Sequence, residues 1–325
     1  MSPQRLIRRI GAALLTLWVA ATLNFVLFRT IPGDAVSSLR CQRCTPAFRE
    51  LLRHQLGLDR PLIVQYLYYL RDLLHGDLGQ SVSSHRPVTS QLLQPLLATL
   101  PMLLLGTIAA LTLGVIAGSL AAWRHNTLTD RGLTLTSLVL YSMPAQWLGL
   151  MLVMYVAFTV GLPVAGLHSP SLGVLEPASW SDSLIDRVQH MVLPSATLGI
   201  ILFGQFALIT RSSLLSALGE DHVLTARAKG LSPLSAVFRH ALPNALLPLV
   251  TITAQTFGYI VGGAVVIESV FSYPGIGLAV MDAISSRDYP TLQGAFLLLT
   301  AAVIVANLIA DLLYPKLDPR VGATS

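Results

Sequence analysis

Charge is scarce in this chain: of its 325 residues only 11% are Asp, Glu, Lys or Arg, while 53% are hydrophobic and the mean hydropathy is +0.66. A globule of this size with so little polar surface cannot keep itself in water, so its solvent is largely lipid. Lysine is scarcer still. Lys229 and Lys316 are the only two, and neither sits in a Gly-Lys-Ser/Thr context, so the chain has no P-loop and cannot hydrolyse ATP itself. No His-Glu-x-x-His or Gly-x-Ser-x-Gly occurs. All eight histidines lie outside the long apolar runs, and the outer carboxylates Asp72, Asp77, Asp182 and Asp186 read as solvated. The sequence therefore predicts no enzyme, no cofactor and no metal site. The net charge of +5 comes without a dense basic patch or interleaved aromatics, which argues against nucleic acid as a partner.

Cysteine is limited to Cys41 and Cys44, in Cys-Gln-Arg-Cys. Two thiols cannot supply the four ligands of structural zinc. A local disulfide, chemically permitted on the outer side, and two idle thiols are the readings left.

What the chain has in abundance is long apolar runs. A bilayer core needs about 20 apolar residues per helix, and six stretches qualify: 10–28, 98–122, 133–160, 193–210, 245–267 and 292–313. Gly132 to Leu175 carries no Asp, Glu, Lys or Arg and could be cut into two spans, but a seventh span would reverse the later loops. With six spans and a cytoplasmic N-terminus, Arg5, Arg8, Arg9, Arg124, Arg131, Arg211, Arg227, Lys229, Arg239, Lys316 and Arg320 all fall inside, while the short outer loops hold only Arg187 and Arg287. That is the distribution the positive-inside rule asks for. A cleaved signal peptide is the other reading of the first run, which is long for one and lacks a small-x-small site close behind it. The expected fold is an all-α polytopic membrane protein with six transmembrane helices, both termini cytoplasmic and a small helical extracytoplasmic segment between helices 1 and 2.

Four parts follow: an N-terminal membrane helix (1–30), the extracytoplasmic helical segment (31–95), a five-helix core (96–315) containing a cytoplasmic loop (211–244), and a cytoplasmic tail (316–325). In the second part, Thr45 and Pro46 open a helix striped by Leu51, Leu52 and Leu56 and stopped by Gly57. Asp59 is expected to cap the next, with Leu62, Tyr66, Leu70, Leu73 and Leu74 on one face and Gly76 past its end. Small residues recur every four positions at Gly106, Ala110, Gly114 and Gly118, and again at Ala254, Gly258 and Gly262. Such stripes let helix backbones approach in lipid. Pro144 interrupts the third span and is expected to kink it. Asn24, Gln146, Gln205, Gln255 and Asn307 read as interhelical hydrogen-bonding residues.

The best organised stretch is Ser216 to Asn244. Glu220 and Asp221 stand at the start of a short helix, Arg227 and Lys229 at its end and Gly230 just past it, matching the helix dipole and the glycine stop. Ser232 and Pro233 cap and open a second helix that Pro243 is expected to close. Leu224, Ala228 and Leu231 share a helical face. A tidy solvated loop has such caps too; the apolar strip suits a groove on a partner.

Leu224-Thr225-Ala226-Arg227-Ala228-Lys229-Gly230, followed by His240-Ala-Leu242-Pro243, resembles the cytoplasmic EAA loop of ATP-binding-cassette import permeases. More narrowly, the chain resembles the first permease of dipeptide, oligopeptide and nickel importers. The stretches that carry this are Pro32-Gly33-Asp34, Leu56 to Pro61, Gly76-Asp77-Leu78-Gly79, the motif with Glu268, Phe271, Pro274, Gly275 and Gly277, and Asp311 to Tyr314 running to Asp318-Pro319-Arg320. Leu224 replaces the Glu of the broader pattern, Ala35 a frequent Pro, and Cys41/Cys44 are outside it. The resemblance implies a heterodimer with a second permease in a bacterial or archaeal cell membrane, two cytoplasmic ATPase subunits and an extracytoplasmic solute-binding protein. In such an importer the hairpin inserts into an ATPase cleft, with Arg227 and Lys229 touching the ATPase, Gly230 allowing the turn and Leu242-Pro243 setting the return path. The outer segment helps receive the binding protein.

The rival class is a self-contained secondary transporter or channel. Ion-coupled carriers place ionisable groups at mid-membrane, and the central parts of all six runs carry none. Energy supplied from outside the chain fits better. Glu268 and Asp311 sit near span ends, the first placed to order its outer loop. The solute, whether peptide, nickel chelate or another, is not legible.

Overall fold

The structure, a computed structural model, describes residues 3–30, 59–169 and 179–317. Cys41 and Cys44, the helix expected after Thr45, Pro32-Gly33-Asp34 and Asp318 to Arg320 lie outside them, as do the side chains of Ala254, Gly258, Gly262 and Asp311. Every regular element among the described residues is a helix, apart from one isolated antiparallel bridge between Gln80 and Pro87.

In chain order these are α1 (Pro3–Thr30), α2 (Leu62–Leu74), α3 (Val88–Trp123), α4 (Leu128–Ser142), α5 (Ala145–Val160), α6 (Trp180–Leu218), α7 (Asp221–Ala228), α8 (Leu247–Val270), α9 (Ile276–Ser286) and α10 (Tyr289–Leu317). Among the described residues four are long and apolar enough to cross a membrane, namely Ile7–Thr30, α3, α6 and Tyr289–Ile309, and the α4–α5 pair makes a fifth if counted as one bent span. The chain is thus a multi-pass helical membrane protein. The helix α8 runs for 24 residues, about 36 Å at 1.5 Å per residue.

Boundaries differ from the hydropathy reading where polar residues continue a helix beyond the lipid. The third helix starts at Val88, well before residue 98, and α6 starts at Trp180 rather than 193. Its start is set by a capping box: the Asp182 amide donates to Ser179 Oγ at 3.2 Å and the Ser179 amide to the Asp182 carboxylate at 3.3 Å. With 39 residues α6 is about 58 Å long, more than a core of about 30 Å requires. Pro144 does more than kink its span. The residue before a proline is driven out of the α region; Met143 is extended (φ −72°, ψ 134°), and α4 and α5 meet at 103°.

The chain divides into two compact units: Met1–Ala98 with Gly275–Leu308, and Thr99–Pro274 with Ile309–Ser325. In the first, α2 packs on α1 through aromatic contacts. The Phe25 ring meets Tyr66 edge-on at 5.3 Å and Tyr69 at 5.4 Å, and Thr22 Oγ1 shares a 2.7 Å hydrogen bond with Tyr66 Oη. Two expectations for α2 need correction. Its N-cap position is held by Pro61, with no side-chain cap, and Asp59 stands two residues before it. The buried face is centred on Gln65, with Tyr66 and Tyr69 beside it, while Leu62 and Leu74 are exposed, because the neighbour is the aromatic end of α1. Gly76 stands past the helix end as expected, at φ +74°, where its amide bonds to the Leu73 carbonyl. Asn24 donates to the Gln293 carbonyl at 2.8 Å, an interhelical bond. A core of Val88, Leu92, Val280, Ala283, Leu292 and Ala295 completes the unit.

In the second unit α3 lies against α6 along its small-residue stripe. A Cβ on Gly106 would come within 2.8 Å of the Ser195 carbonyl, and one on Gly114 within 2.7 Å of Phe206 Cβ. Gly118 meets the Ala207 carbonyl more closely still. The stripe therefore packs helices, as its spacing predicts.

Candidate functional site

The hairpin between α6 and α8 is built on the end of α6. Leu214 and Ala217 form a buried cluster with Ala122, Val223, Ala236, Val237, Ala241 and Ala245, so the hairpin is seated on the membrane helices. Gly219 caps α6, and α7 begins at Asp221, whose charge suits a helix N-terminus. Val223 points into the cluster and is fully buried, whereas Thr225, Ala228 and Lys229 are exposed. The side chains of Leu224, Ala226 and Arg227 lie outside the described residues. Lys229 closes α7 with its amide on the Thr225 carbonyl at 3.0 Å, and Gly230 turns the chain at φ +89°, a region that disfavours any side chain.

The return path differs from the expected plain helix. Ser232 caps it, its Oγ accepting from the Ser235 amide at 3.3 Å. A short turn, Pro233–Ser235, leads into a π-helical stretch, Ala236–Ala241, and then Leu242–Ala245. Pro243 does not close this helix; it stands in the first turn of Leu242–Ala245, where a missing amide costs nothing, and the wider π turn just before it accommodates the ring. Pro243 is exposed and Leu242 packs on the cluster.

Two polar clusters hold the ends of α6. At one end Asp186 is buried (7% exposed) and is not the solvated carboxylate expected from sequence. It accepts from the Ser169 amide at 2.9 Å and Ser169 Oγ at 2.5 Å, with His168 and His190 Nδ1 at 3.4 and 3.6 Å. At the other end Asp130, 2% exposed, accepts from Arg211 Nε at 2.5 Å and Nη2 at 2.8 Å. Twenty-five residues separate Asp186 from Arg211, about 37 Å of helix. That separation exceeds the roughly 30 Å of a bilayer core. Of the other carboxylates expected to be solvated, Asp72 pairs with Arg71 on the surface, Asp77 accepts from the Gly79 amide at 2.8 Å and Asp182 completes the capping box of α6.

The Glu268 motif folds as a tight turn. The Glu268 side chain is fully buried and accepts from Thr99 Oγ1 at 2.6 Å, while its carbonyl takes the Tyr273 amide at 2.9 Å. Phe271 is buried against Gly149. Burial, reinforced by the Glu268 charge and opposed by Arg187, pushes the Tyr273 hydroxyl up to about 12. Pro274 is exposed; in the other unit Gly275 is the N-cap of α9 and Gly277 is buried. There too Asp288 holds the loop before α3: Ser81 Oγ and Ser83 Oγ (2.8 Å) donate to it, with the Val82 and Thr291 amides at 3.3 Å. Burial alone would raise this carboxyl, but the hydroxyl and amide donors hold it below its ordinary value.

Sequence reasoning missed Val223 as the hairpin's anchor, and Asp130, Asp186 and Asp288 as buried acceptors. One signal was available for Asp130: it is the single acidic residue between Asp77 and Glu176. Among the described residues no group of three His, Cys, Asp or Glu is arranged to hold a metal.

Fold and hairpin together define a class, a multi-pass helical membrane protein carrying a rigidly seated helical hairpin outside its apolar core. Comparison with known proteins makes this specific. Residues 110–323 match the model of the binding-protein-dependent transport system inner membrane component, and residues 3–102 match that family's N-terminal membrane component. The chain belongs to this family: it is a permease subunit of a binding-protein-dependent ATP-binding-cassette importer, a transport component and not an enzyme. It is 41% identical to the Di/tripeptide transport system permease protein DppB of Pseudomonas aeruginosa (strain UCBPP-PA14), over 97% of both chains. It is 38% identical to the Dipeptide transport system permease protein DppB of Escherichia coli (strain K12), over 98% of both. Identity to the Glutathione transport system permease protein GsiC of Escherichia coli O6:H1 is 35%, over 97% of both.

Proposed function

We propose that this subunit forms half of a translocation path for di- or oligopeptides, or for similar small solutes such as nickel chelates, in a bacterial or archaeal cell (inner) membrane. Relatives named for di/tripeptide, dipeptide and glutathione transport support the peptide reading. The path has six spans, with α8 as the one added to the five candidates above, and both termini in the cytoplasm. Its partners are a second, different permease, two cytoplasmic ATPase subunits and an extracytoplasmic solute-binding protein. The hairpin from Asp221 to Pro243 is the coupling element: α7 enters a cleft on one ATPase, Leu224 to Gly230 form the contact, and Leu242-Pro243 fix the return.

The observation that carries this is the division of labour within α7. Val223 is sunk into the cluster at the end of α6 while Thr225, Ala228 and Lys229 face outward ahead of the Gly230 turn. A loop that served only as a connection needs no such seat. A hairpin that must push on α6 does, because force passes only through packed contacts. The turn at Glu268, Phe271, Pro274, Gly275 and Gly277 and the segment 31–95 belong, on this reading, to the outer face that meets the binding protein.

Affinity purification of the tagged chain from its own membrane in mild detergent, followed by mass spectrometry, tests this. Recovery of two P-loop ATPases and a second permease is expected. Recovery of the chain alone, or only as a homo-oligomer, across several detergents would contradict it.

A further inference from the structure

Asp130 stands in the first turn of α4 and gathers donors from three directions. Arg211 of α6 grips it with Nε and Nη2; His125 Nδ1 (3.2 Å) and the Asn126 amide (3.0 Å) reach it from the α3–α4 corner; Thr134 Oγ1 (3.2 Å) reaches it from its own helix. The corner is shaped for this, since Asn126 adopts φ +64°. Arg211 Nη2 also lies 3.5 Å from His125 Nδ1. A buried ion pair is seldom retained for stability, because desolvation offsets most of its attraction. What a two-pronged fork supplies is fixed geometry.

Geometry matters here because of what lies on either side. Toward the hairpin, Leu214 and Ala217, on α6 just past Arg211, are buried against Val223, Ala236 and Val237. Toward the membrane, α4 leads to Met143-Pro144 and the 103° bend. Between the fork and the bend, α4 and α6 touch through Gly204, which sits on the Ser137 carbonyl. A glycine seat holds the two backbones close but supplies no directional bond. The fork is the directional contact in this stretch.

We infer that Asp130 and Arg211 are positioning residues for transport: a charged pin that makes α4 and α6 move as one body when the hairpin is displaced, so that the motion reaches the bend at Pro144. This rests on the proposed role of the hairpin. The test uses the complete complex in proteoliposomes, with ATP hydrolysis and uptake of a labelled alanine dipeptide measured on the same sample and normalised to assembled complex. With Asp130→Asn and with Arg211→Lys, which keeps the charge but loses the fork, assembly and ATP hydrolysis persist while dipeptide taken up per ATP falls about tenfold; Asp130→Glu recovers part of it. An unchanged ratio in both variants, or a loss of uptake that only follows loss of complex, overturns the inference while leaving the hairpin's role intact. Absence of ATPase from the unaltered complex overturns both.

Discussion

Gly204 of α6 rests on Ser137 of α4 so closely that a Cβ there would collide with the Ser137 carbonyl and come within 2.8 Å of the Tyr141 amide nitrogen. Neither obstacle can move, since both are helix backbone. Lipid offers no hydrophobic drive for helix association, so close backbone approach is what holds such a pair.

Gly204→Leu is therefore expected to force α4 and α6 apart, at a cost of about 1–3 kcal/mol or more. Thermal unfolding in detergent should show a lowered midpoint and reduced membrane yield. Gly132→Ala, on the same helix as Ser137 but with nothing within 4 Å, should lower neither.

The small-residue stripe of α3 was legible because its four-residue period survives in the sequence; Gly204 was not, since it stands outside such a stripe. The same contrast recurs elsewhere. Gly230 was found because a positive φ after a helix selects glycine, and the structure has φ +89° there. Pro144 was found because proline forbids helix at the preceding residue, although the size of the bend depends on neighbours no local rule sees. Pro243 was misread because a proline that stops one helix and a proline that starts the next look alike until the π turn at Ala236–Ala241 is known. Asp186 and Asp130 were misjudged or missed because a carboxylate reads as solvated unless its donors are known, and these donors lie far along the chain, at Ser169 and Arg211. Hydropathy found the four long apolar helices but clipped the starts of α3 and α6, as polar capping residues such as Ser179 and Asp182 fall below any apolar threshold.

The depressed Asp288 carboxyl makes the Ser81–Ser84 loop pH-sensitive in one direction. A group whose folded value lies below its unfolded value, about 3.9 for Asp, stabilises at higher pH and loses that contribution as pH falls through the folded value. Protection of the Val82 and Ser83 amides against hydrogen exchange should be level from neutral pH down to about pH 5 and decline below about pH 4. Asp288→Asn should exchange about tenfold faster at neutral pH and lose the pH dependence. A flat profile in the unaltered protein would contradict the assignment.

Gly230→Ala meets no steric obstacle, yet it places a side chain at φ +89°, a strain of about 1–2 kcal/mol. Gly230→Pro cannot reach that φ at all. Membrane insertion should be normal in both, with uptake lowered in the alanine variant and abolished in the proline variant. Normal uptake with proline would mean that the turn has no part in transport.

The most direct measurement is a crosslink from the outward face of α7. Ala228→Cys should form a disulfide with single cysteines placed along the cleft of the co-expressed ATPase, and the yield should change when ATP is bound. Crosslinking at one or more cleft positions is the result expected of a hairpin that couples ATP hydrolysis to the permease. Failure at every cleft position, in membranes where the complex is assembled, would contradict that account.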